Sequence, residues 1–153
     1  MIFIRERGIT YISFVEGFKK DGCVICNNVF NSTLRYFRHL LEENVNDLST
    51  RIRFYNSIGY CNRHAWILKK IGETEYDNNL GQTIMYEGLI EKVINSIENI
   101  KLKNEQLTLH LNKRKNKKAN KYLNSLLRKC ECAVCQNEHE AESRHLEFFV
   151  EYF

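Results

Sequence analysis

Residues 30–48 read FNSTLRYFRHLLEENVNDL, with Phe30, Leu34, Phe37, Leu41, Val45 and Leu48 recurring at steps of four and three. That spacing follows the 3.6-residue period of an α-helix and sets the six side chains along one face. It predicts a helix beginning near Cys26 and running to about residue 48. Downstream, Ser49 or Thr50 is placed to cap a short helix ended by Gly59, and a further helix starts near His64 and stops at Gly72. Leu80, Ile84, Leu89, Ile90, Val93, Ile94 and Ile97 outline a long helix that can continue past residue 100, with Met85 and Tyr86 joining Leu89 and Ile90 as a packing face. Tyr122, Leu123, Leu126 and Leu127 give a short helix, and Phe148, Phe149, Val150 and Phe153 line a last one. The alternation of a strand is confined to LTLHL, Leu107 to Leu111. The 153 residues contain no proline, the commonest helix breaker. The predicted fold class is all-α.

With 43% hydrophobic and 12% aromatic residues the composition is that of a packed globule, not of a disordered chain. No apolar run approaches the roughly 20 residues of a membrane span, and the initial MIFI is broken by Arg5, Glu6 and Arg7. A cytoplasmic protein without membrane association is expected. Charge is uneven: residues 101–129 hold ten Lys or Arg against the single acid Glu105, a net +9, so the overall +4 leaves −5 on the rest. The chain thus divides into a helical part over 1–100, a basic connector over 101–129, helical or flexible, and the start of another unit over 130–153.

Chemistry enters with IGYCNRHAW, Ile58 to Trp66. Cys61 and His64 are three positions apart, and CVIC places Cys23 and Cys26 at the same spacing upstream. Two-residue spacing lets both donors of a pair reach one ion from a turn or a first helical turn, and two pairs complete a tetrahedron. Three thiolates and one imidazole suit zinc. Cys23, Cys26, Cys61 and His64 are therefore the expected ligands of an ion pinning a helical hairpin. An iron–sulfur cluster on the same donors is the alternative cofactor.

A shift of 109 residues lays CVICNN over CAVCQN, matching Cys23 with Cys132, Cys26 with Cys135, Asn28 with Asn137, Arg35 with Arg144 and Glu42 with Glu151. The second copy keeps its C-x2-C and following helix but has no second C-x2-H. Cys130, Cys132, Cys135 and His139 nevertheless supply four local donors for a second metal site. Pairing of these cysteines with another chain, as in a homodimer, is a further reading. The segments CVIC, GYCNRHAWIL, LGQTIMYEGLI and CECAVCQNEHEAESRHLEFFVEYF together resemble an uncharacterised prokaryotic family, a domain of unknown function built from tandem C-x2-C and G-[FY]-C-x2-H units. The resemblance implies that Cys23, Cys26, Cys61 and His64 form one unit and that Cys132 and Cys135 open another. It carries no activity.

No phosphate-cradling glycine loop, nucleophile elbow, H-E-x-x-H or nucleotide fingerprint is present, so no enzyme is predicted. Glu73, Glu75 and Asp77 are the nearest acids in sequence to His64 that a catalytic metal would need, and solvation accounts for them. The expected function is a zinc-binding helical interaction or scaffold module. Nucleic-acid binding is the first alternative: Lys113, Arg114, Lys115, Lys117, Lys118 and Lys121 neutralise phosphates and Tyr122 is placed to stack on a base. A thiol or iron–sulfur redox protein is the second. Trp66 is expected to pack over the metal, whereas His39 and His145, at nearly corresponding places in the two repeats, read as polar surface or interface residues.

Overall fold

The computed structural model describes residues 2–107 and 131–152. The basic residues Lys113 to Lys121, the predicted helix at Tyr122 to Leu127, most of LTLHL, Cys130 and Phe153 lie outside the described residues. Helices account for the architecture: α1 (Ile2–Gly17), α2 (Val24–His39) continued by a π-helical turn (Leu40–Asn44), α3 (Leu48–Asn56), α4 (Asn62–Glu75), α5 (Leu80–Leu107) and α6 (Ala133–Tyr152). No strand occurs among the described residues, in agreement with the all-α prediction.

The helical segment Val24–Asn44 is the centre of the molecule; it ends short of the predicted residue 48, and Leu48 instead opens α3. Helix α2 packs against α1, α4 and α6, while α5 rests on α3 and α4. Its stripe is buried only where those neighbours cover it: Phe37 and Leu40 are sealed, Leu34, Leu41 and Val45 are partly buried against the core, and Phe30 and Leu48 stand exposed. Phe54, Tyr60, Leu68, Ile71, Met85, Leu89, Cys132 and Val134 complete the same core. Met85, Tyr86 and Leu89 thus pack as the sequence predicts, but Ile90, Val93, Ile94 and Ile97 are exposed, because α5 outruns the helices beneath it.

Helix α3 begins at Asp47, whose carboxylate accepts from the backbone N–H of Thr50 at 2.7 Å and from the Ser49 hydroxyl at 2.6 Å. The cap is therefore Asp47, two positions before the first of the two hydroxyls that the sequence offered, since a carboxylate there reaches an orphan amide of the first turn. The helix ends as expected. Ile58 and Gly59 adopt φ of 54° and 87°, and the Gly59 N–H donates to Phe54 O at 2.8 Å. This left-handed close redirects the chain into Tyr60 and Cys61, the entry to α4.

Gly72 does not stop α4, which continues to Glu75. It is buried where the chain folds back: a β-carbon there would meet Asn79 Oδ1 at 2.5 Å and Asn78 O at 2.8 Å. Close approach, not helix termination, accounts for a glycine at this position. Helix α1 was not foreseen, its apolar residues lacking a clear stripe. It buries Phe14 among His145, Phe148 and Phe149 of α6, with ring centroids 5.6, 5.3 and 6.2 Å away.

Candidate metal centre

Cys61 precedes α4 in extended conformation and His64 lies in the first turn of that helix, so the C-x2-H spacing turns both donors to one side. Helix α6 opens the same way, with the Gln136 N–H donating to Cys132 O at 3.0 Å and Cys135 one turn into the helix. The starts of α4 and α6 meet. His64 Nδ1 is 3.2 Å from Cys61 Sγ, 3.4 Å from Cys135 Sγ and 3.6 Å from Cys132 Sγ. The sulfurs of Cys61 and Cys135 are 3.7 Å apart, and all four ligand atoms lie within 4.8 Å of one another. Three thiols and one imidazole so arranged could hold a metal ion.

This set divides the expected ligands. Cys61 and His64 belong to it, but the cysteines opposite them are Cys132 and Cys135, not Cys23 and Cys26. The latter pair sits exposed at the start of α2. The physical reason is the direction of packing. Thr33 of α2 meets Glu138 of α6, while Glu142, a turn further along α6, acts on Cys23 and Cys26 near the start of α2. The two helices therefore run antiparallel, which sends their cysteine pairs to opposite ends, and α4 reaches only one of them. The local second site is not assembled among the described residues either: Cys132 and Cys135 are taken by the cluster, and His139 is exposed, 3.9 Å from Glu142.

Around the donors the environment is built. His64 is fully buried, with Phe37 packed at 6.2 Å between ring centroids. Its Nε2 lies 3.2 Å from Glu138 Oε1, off the hydrogen-bond axis, so the contact is electrostatic first. Glu138 in turn accepts from Thr33 Oγ1 at 2.8 Å and from both Arg63 Nη atoms at 3.0 Å. A carboxylate on the far nitrogen of a ligating histidine fixes the ring and raises its basicity. Sequence reading missed Glu138, although it stands one turn after Cys135 and so on the same side of α6.

Burial pushes the Cys132 thiol up, but its hydrogen bonds to His64 and to backbone amides outweigh this and bring it down to about 6. Burial, the Cys61 sulfur and the neighbouring Cys132 charge push Cys135 up to about 12. His64 resists protonation through burial, yet Cys132 and Glu138 carry it up to about 9. Without a cation the site therefore favours one thiolate–imidazolium pair. A cation held by Cys61, His64, Cys132 and Cys135 would displace these protons.

Other sequence candidates lie elsewhere. Trp66 is 61% exposed, donating from Nε1 to Asn62 Oδ1 at 3.0 Å beneath the Lys69 ammonium. Two positions past His64 is roughly 200° around a helix, so Trp66 faces away from the metal donors, and Phe37 shields them instead. Glu75 is held by Arg38 at 2.6 and 2.8 Å and Glu73 by Lys69 at 3.2 Å. His39 is exposed beside Glu43, whereas His145 is drawn under α1 against Phe14.

No helix among the described residues is long and apolar enough to cross a membrane. Over residues 6–153 the chain matches the model of a family of unknown function, DUF6062. It is 33% identical over 76 residues to an uncharacterized 23.9 kDa protein in the xynA 3′ region of Caldicellulosiruptor sp. (strain Rt8B.4). That match takes in 50% of this chain and 34% of the relative, about a third of the relative's length. No solved structure matches the chain. The chain belongs to the DUF6062 family.

Proposed function

We propose that the protein is a helical interaction scaffold closed by a zinc ion on Cys61, His64, Cys132 and Cys135. One observation carries the reading: four donors from segments 68 residues apart in sequence lie within 4.8 Å of one another, with His64 Nδ1 3.2 to 3.6 Å from the three sulfurs and the Cys61 and Cys135 sulfurs 3.7 Å apart. Tetrahedral zinc with sulfur at about 2.3 Å and nitrogen at about 2.0 Å has ligand–ligand edges of roughly 3.5 to 3.8 Å. Edges of this length enclose one ion, whereas a multi-iron cluster needs its donors further apart. Four protein donors fill a tetrahedron and leave no position for a reacting water, which is the design of a structural site.

The zinc ties the start of α4 to the start of α6 and so holds α6 against α2. Its binding energy is then folding energy. What remains for function is the surface that this frame presents. The basic residues between 101 and 129 support a second reading, nucleic-acid binding, for which affinity falls steeply with salt and on neutralising Lys113 to Lys118.

Metal content and helicity test the first reading together. Protein purified without added metal is expected to carry one colourless zinc per chain and to lose cooperative thermal unfolding when a strong chelator removes it. Brown, iron-containing protein, or a metal-free chain that melts cooperatively, would overturn it.

A further inference from the structure

The fold buries the side-chain amide of Asn28 and leaves it unmatched. The residue is 6% exposed, and its Nδ2 finds no acceptor among the described residues. Buried donors are nearly always paired, and an unpaired one costs stability, so this group points to something that meets it. Asn28 lines a cavity of about 300 Å³ walled by α1 and α2, at the lower end of the range for small-ligand pockets.

Two stripes form the walls. On α2, Asn28, Asn31, Arg35 and Arg38 follow one another at steps of three and four and so share a face. On α1, Ser13, Glu16 and Gly17 do the same, with Lys20 just past the helix end. Gly17 lets the helices come close: a β-carbon there would meet Val24 Cγ2 at 2.5 Å and stand 3.7 Å from Asn28 Oδ1. The Oδ1 end of the amide thus faces Gly17, and Nδ2 is the end left for an occupant.

The sign of that occupant follows from the charges. Arg38 is neutralised by its paired hydrogen bonds to Glu75 at 2.6 and 2.8 Å. Arg35 gives one N–H to Ser32 Oγ at 3.2 Å and keeps the rest of its five-donor fork, and Lys20 adds a second cation. Glu16 is the single acid of the lining. Arg35 and Lys20 against Glu16 leave the wall positive, and the Asn28 amide beneath them calls for an acceptor.

We propose that this cavity binds a small oxyanion, the phosphate or carboxylate group of a metabolite-sized molecule. The buried Asn28 donates to it from Nδ2, and the exposed Arg35 closes over it with a planar fork that suits either group. Glu16 opposes the anion and limits its affinity. None of the lining residues is a donor of the metal cluster, so the site stands or falls apart from the zinc reading.

The test titrates the full chain, as purified, with inorganic phosphate and separately with acetate at constant ionic strength, following the Asn28 side-chain amide by heteronuclear NMR. A saturable shift of that signal is expected, and whichever anion produces it names the group. Arg35→Gln, on the exposed side of α2, should weaken binding about tenfold or more, whereas Glu16→Gln should tighten it. The basic residues 101–129 also attract anions, so a Lys113→Gln, Lys115→Gln variant is the control and should leave the shift unchanged. No saturable shift, meaning that solvent alone fills the cavity, would overturn the proposal. So would an equal effect from chloride, an affinity unaltered in Arg35→Gln, or weaker binding in Glu16→Gln.

Discussion

The starts of α2 and α6 carry the same C-x2-C motif in the same relation to their helices, yet one pair is exposed and the other is built into a four-donor cluster. What differs is what arrives opposite. Helix α4 brings Cys61, His64 and Arg63 to the start of α6, and Thr33 of α2 adds a hydroxyl to Glu138, whereas among the described residues no further ligand group joins Cys23 and Cys26 at the start of α2. A C-x2-C at a helix start is thus a presentation of two thiols. Whether it becomes a metal site is decided by the surface packed against it.

The largest effect that tests this contrast is expected from the ligands. Cys135→Ser or His64→Ala should abolish metal binding and most of the fold stability, since structural zinc contributes about 10–16 kcal/mol in small zinc domains. Cys26→Ser should leave the melting curve nearly unchanged. Metal analysis and circular dichroism melts on the three variants decide it, and equal losses at Cys26 and Cys135 would break the comparison.

Next come the equivalent apolar positions. Phe37→Ala empties a sealed site against Tyr60 and His64 and should destabilise by about 3–5 kcal/mol, whereas Leu146→Ala at its counterpart should stay below about 1 kcal/mol. Chemical denaturation of the zinc-loaded protein measures both.

Glu138→Gln sharpens the same contrast at one carboxylate. It keeps the shape but removes the charge facing His64 and Arg63, and loss of such a partner typically weakens metal binding about 10–100-fold. Competition with a chromophoric chelator gives the number, and Glu142→Gln should leave the cluster's zinc affinity unaltered.

The smallest effect concerns His145. Burial against Phe14, with the charges of Arg144 and Arg35, lowers its pKa below the ordinary histidine value. A base whose folded pKa is depressed takes up its proton more readily when unfolded. The neutral ring therefore favours the fold above the unfolded pKa near 6.5, and that contribution fades as pH falls toward the folded value. His145→Phe should flatten this part of the stability profile between about pH 7 and pH 5, measured against wild type at saturating zinc.

Much of the architecture was legible because helices announce themselves through period. The helix over residues 30–44, the Gly59 stop, the start of α4 near His64 and the Met85–Leu89 packing face follow from local spacing and turn chemistry, though the helix ends before the predicted residue 48. Helix α1 was not legible, for its burial depends on the aromatic residues of α6 more than a hundred positions away. Half of the metal set was likewise read from Cys61 and His64. The other half was assigned to the nearer C-x2-C because sequence distance cannot report that α2 and α6 run antiparallel.

By itself the sequence determined that this chain is helical, that four of its six cysteines form two C-x2-C pairs at helix starts, and that one C-x2-H is available to complete a tetrahedron. These are local properties, set within a turn or two of the backbone. Only the tertiary structure decided which pair the C-x2-H meets, which carboxylate stands behind the histidine and which face of α4 carries Trp66 into solvent. Those choices rest on how helices far apart in sequence bury their apolar faces together, and the donors go where that burial takes them.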